Sequence, residues 1–347
     1  MRYPKSLSPK GTIGFVAPAF GCNVEPYKSA FENAQKMFQS RGYQVEVGPN
    51  CYEGSGIGIS NTPEKCAAEL TEYYANDRSD CLISCGGGEL MCETISYVDF
   101  ERIKAVEPKW YMGYSDNTNM TYVLATMCDT ASIYGPCAAA FGMEPLHPAL
   151  EDALGLLTGS VKIVQGYDKW EEESLKTPDM PLVPYNVTRD RVIRSFVGKE
   201  LISDNRKLTF QGRLLGGCLD CLVNLLGTRF DHTKEFLVKY KEDGIIWFLE
   251  SCDLNVMSIR RALWQMEEAG WLQYVKGFLI GRPLHFGEEI MGLDQYSAIL
   301  EVAGRKGVPV IMDVDLGHLP PMMPVIVGSL ATVTVEGNEI SLLMEQK

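Results

Sequence analysis

The chain has 347 residues, a length that implies about two domains, and its composition of 46% hydrophobic and 22% charged residues is that of a globular protein with sizeable cores. The formal charge is −13, from 32 basic and 45 acidic residues, which argues against nucleic-acid binding and against an anionic membrane surface. An anionic substrate would therefore need a local Arg or Lys, or aimed backbone N–H groups.

The stretch 1–10 carries no apolar signal core and no apolar run is long enough to span a bilayer, so a cytoplasmic protein is expected. Residues 12–17 form a short apolar run ended by Pro18 and read as a buried strand. Residues 26–41 read as a helix, with Ala30, Ala34, Met37 and Phe38 at helical spacing. A second strand is expected over 43–47, a second helix over 63–74 with Pro near its start, and a third strand over 81–84, closed by Gly86-Gly87-Gly88. Residues 110–114 read as a fourth strand, followed by a helix to about Met127. This alternation predicts an α/β fold with a Rossmann-like, doubly wound parallel sheet over 1–165. Ligands bind beyond the carboxyl ends of such strands, where Gly86–Gly88 and Ser115 both fall.

The pattern lapses over 166–191, where Trp170-Glu-Glu-Glu173 and three prolines read as a linker or surface insertion. From 192 to 347 a second, mixed α/β domain is expected. It has strands near 206–210, 244–249 and 275–281, helices at 217–227 and 256–270, and a closing hairpin of 331–335 with 339–343 about Gly337-Asn338.

Ser115 stands in Gly113-Tyr-Ser-Asp116, where strand gives way abruptly to helix. Such a corner exposes a hydroxyl beside helix-start N–H groups, a usable nucleophile, although a Ser/Asp pair there also serves as a plain helix cap. A base for it must come from four histidines. His147 and His232 lie in polar or Pro-flanked loops and read as surface residues, whereas His285 and His318 follow strand ends and compete equally. Glu250 ends the apolar run 245–249 and is either a paired, buried acid or a solvated strand terminus. Oxyanion donors would be the N–H of Asp116 and one from the glycine run, where the backbone can approach a ligand closely. The glycine run is not G-x-G-x-x-G, so no nicotinamide or flavin is expected.

Eleven scattered cysteines read as buried thiols in a reducing compartment. One CxxC, Cys218 to Cys221, and few histidines give no reason to expect a metal. The sequon at Asn186 carries no weight in a cytosolic chain.

In order and spacing these segments resemble the LD-carboxypeptidases, a serine peptidase family that includes the microcin C self-immunity peptidases. The resemblance covers nearly the whole chain. It is carried by Gly11-Thr-Ile-Gly-Phe-Val-Ala-Pro18, Gly86-Gly87, Gly113-Tyr-Ser-Asp116, Tyr134-Gly-Pro136, Gly212-Arg-Leu-Leu-Gly-Gly217, Phe248-Leu-Glu250, Ile280-Gly-Arg282 and Leu316-Gly-His318. It implies a Ser115–His318–Glu250 triad, which decides against His285. It also implies oxyanion donors at Asp116 and Gly87, a site between the domains, no cofactor, and a homodimer. The arginine that often precedes the glycine pair in murein-cleaving members is Cys85 here, the asparagine after the second glycine pair is Cys218, and the usual Phe-Gly-His is Leu-Gly-His. The expected substrate is a peptide losing its terminal residue, as in murein tetrapeptide, or a peptidyl- or aminoacyl-nucleotide of the microcin type. For the latter, Trp170 would stack on the nucleobase or else merely pack against the linker. Arg282 is a candidate for holding the substrate's free carboxylate, with a surface ion pair as the competing explanation. A non-catalytic two-domain binding protein is the remaining rival.

Overall fold

The computed structural model describes residues 1–203 and 206–347. In the first half β1 (Thr12–Val16), β2 (Gln44–Val47), β3 (Cys81–Ser84), β4 (Trp110–Gly113) and β5 (Ser132–Tyr134) alternate with α1 (Tyr27–Ser40), α2 (Pro63–Ala75), α3 (Met91–Thr94), α4 (Phe100–Ala105) and α5 (Thr118–Cys128), and α6 (Pro148–Thr158) follows. The apolar runs of β1, β3, β4 and β5 are buried on both faces, as strands covered by helices must be, while the edge strand β2 is partly exposed. Helix α1 turns Ala30, Phe31, Ala34 and Phe38 onto the sheet. Pro63 opens α2, and the Thr62 hydroxyl accepts the Lys65 N–H at 3.4 Å. The parallel strands lie in the order β2-β1-β3-β4-β5. The order reverses between β1 and β3, so the loops after β1, β3 and β4 meet at one end of the sheet.

The first half ends with β6 (Ile163–Gln165), and the chain goes on through β7 (Lys169–Glu171), β8 (Val187–Asp190), β9 (Arg194–Val197), β10 (Glu200–Leu201), β11 (Leu208–Cys218), α7 (Leu219–Leu225), α8 (Thr233–Lys239) and β12 (Ile245–Glu250). It continues with α9 (Val256–Glu268), β13 (Val275–Gly281), β14 (Glu289–Ile290), β15 (Leu293–Asp294), α10 (Gln295–Ala303), β16 (Pro309–Val314), β17 (Val325–Val327), β18 (Leu330–Glu336) and β19 (Glu339–Glu345). Among the described residues, nine strands form the second sheet, in the order β10-β9-β16-β13-β12-β11-β18-β19-β6. The centre β16-β13-β12-β11 is parallel and the flanks are antiparallel.

Three features go beyond the sequence reading. The sheets exchange strands across the expected domain boundary: β6, from the first half, pairs with β19, and β17, from the second, pairs antiparallel with β5. Each swapped strand covers an edge that would otherwise expose unpaired N–H and C=O groups. Within residues 166–191, expected as a linker or surface insertion, β7 and β8 pair with each other. The helix expected from 217 begins at Leu219, because β11 keeps its pairing with β12 through Gly216, Gly217 and Cys218.

The two halves share their core. Tyr122 of α5 stacks on Trp271 at 5.5 Å between ring centroids, Trp271 stacks on Trp247 of β12 at 5.9 Å, and the Tyr122 hydroxyl bonds Thr233 Oγ1 at 2.7 Å. Strand ends from both sheets are thereby held at fixed separation. Among the described residues no helix is long and apolar enough to cross a membrane.

Candidate active site

Strand β4 ends at Gly113, and the chain turns through Ser115 with φ at 63°, a left-handed conformation that a non-glycine residue rarely adopts. A short 3-10 turn (Ser115–Asn117) then leads into α5. The Ser115 side chain consequently stands clear of the sheet, partly exposed, at the sequence-predicted corner.

From the second sheet, β12 delivers Glu250 at its last position, 3% exposed. The loop after β16 delivers His318. Its Nδ1 lies 2.8 Å from Glu250 Oε2, and its Nε2 lies 2.8 Å from Ser115 Oγ. The three sequence-predicted groups therefore form one continuous hydrogen-bonded chain, with 203 residues separating Ser115 from His318. Gly317, at φ 101°, makes the approach possible: a Cβ there would stand 2.7 Å from Glu250 Oε2.

The electrostatics favour the ionised pair. Burial works against a charged His318, but the Glu250 carboxylate, with a further contribution from Cys252, outweighs it and holds the imidazole well above its ordinary pKa. Burial likewise pushes Glu250 up, but His318 and hydrogen bonds from His318, Tyr134 and Cys218 leave it below the usual carboxylate range.

Gly87 stands where an oxyanion donor is expected. A Cβ on it would lie 3.2 Å from Ser115 Oγ, and among the described residues its N–H meets no acceptor. The other expected donor, Asp116, occupies the first turn after Ser115, with its carboxyl buried and pushed up to about 6 by burial.

Sequence reasoning gives Tyr134 no role beyond its place in Tyr134-Gly-Pro136. It is fully buried at the end of β5; its hydroxyl accepts the Ser115 N–H at 3.0 Å and donates to Glu250 Oε1 at 2.5 Å. Its position at a strand end beside β4 was the signal available in sequence. Cys252, beside His318, offered none.

Other expected residues lie elsewhere or are committed. Trp170 is 3% exposed, so it presents no ring on which a base can stack. Pairing of β7 with β8 folds the acidic segment back, and the indole donates to Asp190 O at 3.2 Å, packs edge-on against Phe286 and lies under the Arg282 guanidinium at 5.0 Å. Arg282 is 1% exposed and makes a buried ion pair rather than a surface one, at 2.6 Å from Asp315 Oδ1, while donating to Asp313 O at 2.9 Å. It is a brace between β13 and the loop after β16. His285 is exposed, and among the described residues no hydrogen bond joins its ring to Ser115 or Glu250. His147 is half-buried rather than a surface residue: Nδ1 accepts the Ala149 N–H at 3.1 Å, the ring packs on Tyr167 and Tyr185, and burial lowers its pKa. His232 is partly buried at the start of α8. All eleven cysteines are free, nine of them buried, and among the described residues no three His, Cys, Asp or Glu converge on a metal-sized site.

Comparison with known proteins gives a consistent picture. Residues 13–135 match the model of the LD-carboxypeptidase N-terminal domain, and residues 211–333 match that of the LD-carboxypeptidase C-terminal domain. A Bacillus subtilis protein named "Probable murein peptide carboxypeptidase" is 24% identical over 95% of this chain and 91% of its own length. An MccF-like protein from Bacillus anthracis superposes with a TM-score of 0.81 at 20% identity, covering 99% of this chain and 100% of the other. The microcin C7 self-immunity protein MccF bound to glutamyl sulfamoyl guanosine superposes with a TM-score of 0.76 at 21% identity, covering 99% and 98%.

Proposed function

The chain belongs to the LD-carboxypeptidase family, and from that premise we propose that it is a serine carboxypeptidase using Ser115, His318 and Glu250. The observation that carries the reading is the unbroken relay of two 2.8 Å contacts from hydroxyl to imidazole to carboxylate.

Neutral His318 takes the proton from Ser115 Oγ through Nε2 as the oxygen attacks the carbonyl of the substrate's last peptide bond. Glu250 Oε2 holds the Nδ1–H and stabilises the imidazolium that forms. Asp116 and Gly87 N–H groups receive the oxyanion, and loss of one such donor elsewhere lowers the rate ~10²–10³-fold. The imidazolium then protonates the leaving amine. A water molecule, deprotonated by the same imidazole, releases the acyl group from Ser115. Tyr134 ties the nucleophile's backbone to the acid, so both sides of the relay keep register.

The substrate class we favour is a peptide losing its carboxyl-terminal residue, such as the terminal D-alanine of a murein tetrapeptide. The named Bacillus subtilis relative supports it, and the buried Trp170 presents no open ring face to a nucleobase. Cleavage of aminoacyl-nucleotides is the second reading, supported by the whole-length likeness to MccF with such a ligand bound and by Cys85 in place of the arginine often found in murein-cleaving members. A cytoplasmic homodimer belongs to the same proposal. The test is incubation with murein tetrapeptide and with aspartyl sulfamoyl adenosine in parallel, followed by mass spectrometry. Loss of alanine from the tetrapeptide, abolished in Ser115→Ala, is the expected result. Turnover of the nucleoside alone moves the protein to the second reading, and binding without turnover, unchanged by Ser115→Ala, makes it a binding protein.

A further inference from the structure

The loop carrying Gly87 is fastened at both ends by the turn that carries the nucleophile. On one side of Gly87, Asn117 Nδ2 donates to Gly86 O at 2.8 Å. On the other, the Met91 N–H that opens α3 donates to Asp116 Oδ2 at 2.8 Å. The same Oδ2 is packed so closely against Gly88 that a Cβ there would stand 2.9 Å from it. Both anchoring side chains are buried, Asp116 at 4% and Asn117 at 0% exposure. Each is held from behind: Asn119 Nδ2 donates to Asp116 Oδ1 at 2.9 Å, the Cys221 thiol faces the same oxygen at 3.9 Å, and the Tyr111 hydroxyl donates to Asn117 Oδ1. Other anchors of the loop, Ser84 Oγ to Gly86 O at 3.0 Å, Phe20 N–H to Gly87 O at 2.7 Å, and the Glu89 and Leu90 N–H groups to Gly58 O at 3.0 and 3.4 Å, come from outside the turn and do not tie it to Ser115.

We propose that the side chains of Asp116 and Asn117 are positioning residues that set the Gly87 N–H against Ser115, so that the nucleophile and the second oxyanion donor move as one rigid piece. The inference rests on the hydrolase reading and adds to it a role for two side chains that touch no substrate. Asp116 acts twice: its main chain supplies one oxyanion N–H and its carboxylate fixes the loop that supplies the other. Oxyanion stabilisation depends on donors aimed beforehand at the place where charge develops. A loop released at Gly86 or Met91 would still bind a peptide while losing that aim.

The probe is an alkyl fluorophosphonate, whose phosphoryl oxygen occupies the oxyanion position as the serine is phosphonylated. The second-order labelling rate and the endpoint stoichiometry are measured for wild type, Asp116→Ala, Asp116→Asn and Asn117→Ala, with rates expressed per titratable serine so that unfolded protein does not count. The alanine variants are expected to label about 10-fold or more slowly, part of the ~10²–10³ that follows outright loss of a donor. Asp116→Asn is expected to recover part of the rate, since its amide oxygen still accepts the Met91 N–H. On the peptide that wild type hydrolyses, kcat falls and KM stays. Labelling rates per serine equal to wild type within a factor of about two in both alanine variants overturn the inference and leave the hydrolase reading standing. A wild-type protein that is not labelled at all overturns the hydrolase reading and this inference with it.

Discussion

At His318 two opposing forces meet: burial disfavours the imidazolium, and the Glu250 carboxylate 2.8 Å away favours it, with Glu250 prevailing. A general base must be neutral to accept a proton. The acid limb of kcat/KM is therefore expected above the ~6.5 of an ordinary histidine. Glu250→Gln removes the charge that holds the proton, so the limb moves to lower pH while kcat falls by roughly 10³–10⁴, as when a triad acid is neutralised elsewhere. Cys252→Ala moves the limb the same way by less, because Cys252 adds to the effect of Glu250. The stability linkage has its own sign. A histidine whose pKa is raised on folding stabilises the fold fully below its unfolded value and loses that contribution as pH rises through the folded value. Urea unfolding of wild type should thus weaken across that window, and Glu250→Gln should flatten the change. A limb at the same pH in wild type and Glu250→Gln would mean that Glu250 does not govern the imidazole.

Among the elements, the β7–β8 hairpin and the strand end at Arg282 show how position changes a side chain's meaning. Arg282 and Asp315 are 1% and 0% exposed, so their ion pair is sealed beneath Trp170. Removing one partner of a buried pair leaves an uncompensated charge, and Arg282→Ala is expected to cost about 3–5 kcal/mol in urea unfolding. A variant of wild-type stability with a raised KM for peptides ending in a free carboxylate would instead make Arg282 a substrate ligand. Periodic helices and unbroken apolar runs were legible in the sequence: α1, α2, β3, β4, α9 and the β18–β19 hairpin lie within a residue or two of their expected bounds. Ser115, Glu250 and His318 were legible as strand-end residues, though choosing His318 over His285 took the family resemblance. Short strands such as β6, β7 and β17, three residues each, carry too few positions for a period to register. The burial of Trp170 and the bridging role of Tyr134 depend on partners far along the chain, which local pattern does not encode.

For the molecule as a whole, the relay exists only because the two sheets are locked together. Strand β17 belongs to the first sheet and β6 to the second, so neither sheet is complete without the other half of the chain. Stacking of Tyr122, Trp271 and Trp247 crosses the same junction. One cooperative transition is therefore expected in urea, with tryptophan fluorescence, far-ultraviolet circular dichroism and fluorophosphonate reactivity lost at the same midpoint. Two separated transitions, with one sheet melting first, would show that the strand exchange does not couple the halves.

The account's central claim is that the alcohol at the end of β4 attacks with the aid of the imidazole after β16, and peptide mapping of a fluorophosphonate adduct tests it most directly. The predicted result is a single adduct on Ser115, with labelling lost in Ser115→Ala and severely slowed in His318→Ala. An adduct on any other residue, or undiminished labelling when His318 is removed, would contradict it.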